Sequence, residues 1–93
     1  MIRYSVAIVD DQADVRQLLV VRLGMVQGLE LVGQGSNGNE ALTLAHDLAP
    51  DLMTLDLRMP LMGGAEAIPL LRAAAPQMRI VVYTSDPAMA DLT

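Results

Sequence analysis

The stretch LMTLDLRMP (52–60) carries a mostly apolar run into Asp56, then one leucine, Arg58 and the pair Met59-Pro60. An apolar segment without alternation is what a parallel strand covered on both faces presents. Proline has no backbone N–H, so Pro60 marks the end of any pairing there. An acid closing such a strand is either its solvated end or a group that the sheet holds out to react. Which of the two applies depends on what the rest of the chain brings to the same rim.

Working outward, the pattern alternates between short apolar strands and helical segments. SVAIV (5–9) reads as a buried strand that ends in Asp10-Asp11. Val15, Leu18, Leu19, Leu23 and Val26 recur at helical spacing, with Asp14 as the expected N-cap and Gly28 as the expected stop; Arg22 falls on the same stripe. LELVG (29–33) is a second strand, GSNG (35–38) a turn, and NEALTLAHDLA (39–49) a helix ended by Pro50. DLMTLD (51–56) is the third strand. AEAIPLLRAAA (65–75) is a third helix ended by Pro76, with Pro69 late enough to bend it. RIVVYT (79–84) is a fourth strand, and SDPAMADLT (85–93) opens a loop or a fourth helix. The order β-α-β-α-β-α-β predicts one α/β domain over 1–93, a doubly wound parallel sheet with right-handed crossovers.

Composition narrows the function classes. Ninety-three residues, 53% apolar, suffice for one small core. There is no cysteine and a single histidine, which removes disulfides, thiolate metal sites and histidine clusters and fits a cytoplasmic protein. No apolar run approaches the ~18 residues of a membrane span, and MIRYSVAIVDD is too soon acidic for a signal peptide. A net charge of −5 disfavours direct nucleic-acid binding. All six basic residues are arginines; lysine is absent.

In an open parallel sheet, ligands bind beyond the carboxyl ends of the strands. Asp10 and Asp11 follow strand 1, Asp56 follows strand 3, and Thr84 follows strand 4. If strands 1 and 3 are neighbours, three acids share one crevice. Each pair at about 4 Å would repel by roughly 4 kcal/mol at an effective dielectric near 20. A bound cation or a proton relieves this, and oxygen ligands of this kind suit Mg²⁺.

This constellation resembles the receiver domain of two-component response regulators, through VAIVDD (6–11), DLRMPLMGG (56–64) and IVVYTS (80–85). VGQGSNGNEAL and IVVYTSD are most similar to receivers of the NarL/LuxR type, which carry a DNA-binding output domain. The resemblance implies a flavodoxin-like fold with strand order 2-1-3-4, the fifth strand and helix lying outside this chain. It implies that Asp56 is the phosphoacceptor for a histidine kinase. Asp10, Asp11, Asp56 and the Arg58 backbone carbonyl would hold Mg²⁺, Asp10 mostly through water, and Thr84 would sense the phosphoryl group. Met59-Pro60 would shape the loop behind the acceptor, and Gly64 would allow tight entry into helix 3; Gly63 stands where the family often has a polar residue. The family's phosphoryl-pairing lysine has no counterpart here, so the chain is expected to be a C-terminally incomplete receiver. Such a module is a phosphoacceptor with at most weak autophosphatase activity, not a metabolic enzyme. Its strand 4 is then an edge able to recruit a second copy, and it acts on DNA only through the absent domain.

Two alternatives remain from the sequence. A pseudo-receiver would bind partners without taking phosphate. A small nucleotide-binding protein would use Gly33–Gly38, which matches G-x-G-x-x-G after a strand and before a helix, with Asp51 or Asp56 near the distance of a ribose-binding acid. That motif follows the second strand and leaves Asp10, Asp11 and Met59-Pro60 unexplained; a Gly/Asn-rich turn before a helix is the preferred reading. His46 reads as a solvated helix residue, and the seven methionines as core and loop filler.

Overall fold

A computed structural model describes residues 2–84. Its elements are β1 (Tyr4–Val9), α1 (Ala13–Gly24), β2 (Leu29–Gly35), α2 (Gly38–Leu48), β3 (Leu52–Asp56), α3 (Gly64–Ala74) and β4 (Arg79–Tyr83). The sheet order is β2-β1-β3-β4 and every pairing is parallel. The chain moves outward from β1 to β2, then back past β1 to β3 and on to β4. With right-handed crossovers, that reversal puts α1 on one face and α2 and α3 on the other. The expected loop or helix over 85–93 lies outside the described residues.

The strand periodicity sorts the two faces. Ala7 and Val9 of β1 pair in register with Met53 and Leu55 of β3 and turn toward α2 and α3. There they meet Ala41, Ala45, Ala67, Leu71, Met59 and Met78 in one buried cluster. Val6 and Ile8 turn the other way, also fully buried, on the face where α1 lies against β1 and β2. Small alanines on α2 and α3 let both helices approach the sheet closely, and methionines fill what remains in a chain without Phe or Trp.

Several element limits differ from the sequence reading for local reasons. Asp14 is not the N-cap of α1: the helix begins two residues earlier than expected with Gln12 as cap, and the Asp14 carboxylate accepts from the Val15 N–H inside the first turn. Gly28 does not end α1 either. The helix closes at Gly24, where the Met25 and Val26 N–H groups take the Arg22 and Leu23 carbonyls. Gly28 sits later, at φ +94°, in the turn that feeds β2. That strand runs on to Gly35, past the expected Gly33, with a register shift against β1 between Val6 and Ala7. α2 starts at Gly38 because the Asn37 side chain accepts from the Glu40 N–H at 2.9 Å. Pro69 is accommodated inside α3, on its exposed side.

An acidic pocket at the rim between β1 and β3

The reversal of direction between β1 and β3 opens a crevice at their carboxyl ends. Asp10 follows β1, Asp56 ends β3, and one carboxylate oxygen from each of Asp10, Asp11 and Asp56 lies within 4.8 Å of the others. Asp10 is 1% exposed and Asp56 3%; Asp11 is open to solvent. The three acids singled out in the sequence therefore lie in one pocket. Asp56 is the last residue of β3 and Asp10 directly follows β1, so the paired strand ends set the separation of these two.

Each buried acid is held by defined donors. The Gln12 N–H donates to Asp10 Oδ1 at 2.8 Å, and the Tyr83 hydroxyl donates to Asp10 Oδ2 at 2.6 Å. Arg16 Nη1 donates to the Asp10 carbonyl at 2.6 Å, tying the first turns of α1 to the rim. Asp56 Oδ1 accepts from the Arg58 N–H at 3.2 Å. Burial pushes the Asp56 carboxyl above the ordinary carboxylate range; the Arg58 N–H opposes the shift, and the Asp10 and Asp11 charges add to it. Tyr83 is driven upward from its usual phenol value by burial, then by its bond to Asp10 and the charges of all three acids, so it stays a donor.

The loop after Asp56 is held by Met59 and Gly64. Leu57 N–H pairs with the Tyr83 carbonyl at 3.0 Å, extending the ladder one residue beyond the acid. Met59 then turns its side chain into the core while Arg58 faces solvent. The Gly64 N–H returns to the Leu57 carbonyl at 3.0 Å. A Cβ on Gly64 would meet Leu57 Cα at 2.8 Å and crowd the Asp56 carbonyl, so only glycine lets α3 start against the backbone of the acid. Thr84 is half-buried and follows Tyr83, which pairs in register with Asp56. The sequence-named residues thus converge: Asp10, Asp11 and Asp56 in one pocket, Arg58 on Asp56, and Thr84 one position past that pairing.

The glycine motif has a different use. A Cβ on Gly38 would meet the Met62 side chain and carbonyl within 2.8 Å, and one on Gly33 would meet Leu44 and Leu48 within 2.9 Å. These glycines admit the chain's own neighbours. The amides at the head of α2 are also taken: Gly38 N–H by the Met62 carbonyl, Glu40 N–H by Asn37, and Ser36 N–H by Glu40, whose carboxyl the Ser36 bonds pull below its usual range. Asp51 accepts from the Ser5 N–H and hydroxyl at the opposite rim. With the amides of Ser36, Gly38 and Glu40 occupied within the chain, a pyrophosphate would have to displace these bonds, which counts against the dinucleotide reading. His46 is exposed beside Asp47, as expected.

Sequence reasoning missed Tyr83 and Arg16. Tyr83 reads as the last apolar residue of a strand, and only the register that sets β4 beside β3 shows its hydroxyl reaching across to Asp10.

A doubly wound sheet of order 2-1-3-4 with an acidic pocket at its switch point defines a flavodoxin-like domain built around clustered carboxylates. The chain belongs to the response regulator receiver domain family, whose model matches residues 6–93. It is 40% identical over 81 residues to the response regulator protein VraR of Staphylococcus epidermidis, an alignment covering 87% of this chain and 39% of VraR. The chain thus spans less than half the length of that relative. Among solved structures it is similar to the response regulator domain of Thermotoga maritima CheB, with TM-score 0.85 and 34% identity over 89% of this chain and 61% of that one. It is also similar to the receiver domain of the putative response regulator NarL from Mycobacterium tuberculosis, with TM-score 0.85 and 28% identity over 96% of this chain and 73% of that one. The NarL/LuxR-type resemblance read from the sequence is borne out by these likenesses. Among the described residues no helix is long and apolar enough to cross a membrane.

Proposed function

We propose that the chain is a signalling phosphoacceptor in which Asp56 takes a phosphoryl group from a histidine kinase, with a divalent cation in the adjoining pocket. The supporting observation is the approach of Asp10, Asp11 and Asp56 within 4.8 Å. Three carboxylates with no nitrogen or sulfur donor among them suit a hard cation such as Mg²⁺. Asp10, Asp11, Asp56 and the Arg58 carbonyl would hold it, Asp10 mostly through water. When bound, it offsets charge on the phosphoryl oxygens.

The chain's own residues do the rest. A carboxylate oxygen of Asp56 forms the new bond to phosphorus as the donor's bond breaks and its electron pair leaves with the donor. The β3 backbone, clamped by Gly64, fixes the height of that oxygen. Burial in the pocket keeps bulk water from most of the Asp56 side chain. Thr84, which follows the Asp56–Tyr83 pairing in the chain, would turn its hydroxyl toward the product. The module is a phosphoacceptor, with at most weak autophosphatase activity. Its output is transcriptional, through a DNA-binding domain outside these 93 residues, and it works in the cytoplasm. β4, which pairs only with β3 among the described strands, is a surface for self-association.

Incubation with Mg²⁺ and acetyl phosphate, followed by intact-mass measurement, tests this reading. One phosphoryl adduct is expected, lost in Asp56→Asn. Cation binding without an adduct would favour an interaction module that does not take phosphate.

A further inference from the structure

Asp10 follows β1 and Tyr83 ends β4, two strands that do not pair because β3 lies between them. Even so, the Tyr83 side chain spans the end of β3, past Asp56, and delivers its hydroxyl to Asp10 Oδ2 at 2.6 Å. The other oxygen, Oδ1, accepts from the Gln12 N–H at 2.8 Å. Asp10 is therefore gripped from both sides. Repulsion among three like charges this close favours turning each carboxylate away about its Cα–Cβ and Cβ–Cγ bonds. A carboxylate has about four lone-pair directions. Two donors therefore orient Asp10 while leaving each oxygen a direction for water or a cation.

We propose that Tyr83 is a positioning residue of the cation pocket: its hydroxyl fixes Asp10 in the ligating orientation and ties the end of β4 to it. The inference rests on the cation reading given above. Thr84 follows Tyr83 directly, so the same bond couples the cation side of the pocket to the residue that would sense the phosphoryl group. The partner chemistry is that of a hydrogen-bond donor behind a metal-facing carboxylate, and removal of such a donor lowers metal affinity by about 10–100-fold.

Tyr83 also supplies its own readout. The chain has two tyrosines, Tyr4 and Tyr83, and no tryptophan. In Tyr4→Phe, all tyrosine emission comes from the hydroxyl that touches Asp10. The experiment titrates Mg²⁺ into the unsubstituted protein, Tyr4→Phe and Tyr83→Phe, following emission and calorimetric heat, with circular dichroism to verify folding. A saturable emission change is expected in Tyr4→Phe, tracking the calorimetric isotherm. Tyr83→Phe is expected to fold and to bind Mg²⁺ about 10-fold more weakly. Equal affinity in a folded Tyr83→Phe would overturn the proposal, as would silent Tyr83 emission while calorimetry records binding. If Tyr83→Phe does not fold, the Tyr4→Phe titration decides alone. Absence of Mg²⁺ heat in the unsubstituted protein would overturn the cation reading and this inference together.

Discussion

Asp56 sits where a carboxylate is least comfortable: 3% exposed, with Asp10 and Asp11 beside it. Its pKa in the folded chain is raised, by burial first and by those neighbours next, while the Arg58 N–H pulls the other way. The native state therefore binds more protons than the unfolded state between the ordinary and the raised value. That contribution to stability is complete below the ordinary carboxylate pKa and is lost as pH rises through the raised one. Asp56→Asn is expected to unfold at higher denaturant than the unsubstituted protein at neutral pH in a chelator, with the gap closing toward acid pH. Denaturation midpoints across that range check the sign. Two residues upstream, Thr54 is 8% exposed and its hydroxyl has no partner among the described residues. Thr54→Val keeps the shape and removes a buried, unsatisfied group, so it is expected to stabilise the fold by about 1 kcal/mol in chemical denaturation. Legibility divided along chemical lines at this scale. Acids interrupting apolar runs announce themselves, which is why Asp10, Asp11 and Asp56 were readable. Tyr83 was not, because an aromatic at a strand end fits the pattern of a core residue and its polar tip has no sequence period.

At the scale of elements, strand and helix order followed directly from apolar runs and breakers, while their ends did not. α1 was misread at both ends because Asp14 and Gly28 carry the right chemistry for caps, whereas the backbone closed the helix with Gln12 and with bonds from Met25 and Val26. α2 ends on Ala49 at φ 43°, a left-handed position that a Cβ disfavours. Ala49→Gly is expected to stabilise the fold by about 1 kcal/mol, since glycine occupies that region without the side-chain clash. Thermal unfolding followed by circular dichroism reads this out, and an unchanged or lower melting temperature would count against it. Gly64 predicts the reverse. Its Cα lies against the backbone of Asp56 and Leu57. Gly64→Ala must move either α3 or the strand end, and is expected to cost about 1–3 kcal/mol and to slow adduct formation from acetyl phosphate. The glycine motif at 33–38 teaches the same lesson: three glycines at nucleotide-binding spacing here serve close packing of α2 and Met62, a use that spacing alone cannot separate from phosphate binding.

For the whole molecule, a parallel α/β sheet with right-handed crossovers was legible from the alternation of strands and helices, whereas the order 2-1-3-4 was implied only by the family resemblance, because apolar runs carry no record of which strand lies beside which. How the chain presents its edges is set by the same topology. Among the described residues β4 pairs with β3 alone, Val81 on it is 51% exposed, and its apolar sequence carries no charge between Arg79 and Thr84. Protein edges are commonly blunted by an inward-pointing charge, a proline or a bulge, and RIVVYT has none of these between its ends. The 93-residue chain is therefore expected to associate through that edge. Sedimentation velocity should show an average mass that rises with concentration. Val81→Lys places a charge on the exposed strand without touching the acidic pocket, and is expected to return the chain to a monomer while leaving Mg²⁺ affinity unchanged. A monomer at every concentration in the unsubstituted chain would refute edge pairing. Association that persists in Val81→Lys would move the contact to another surface, with the exposed Leu18 and Val21 of α1 the next to substitute.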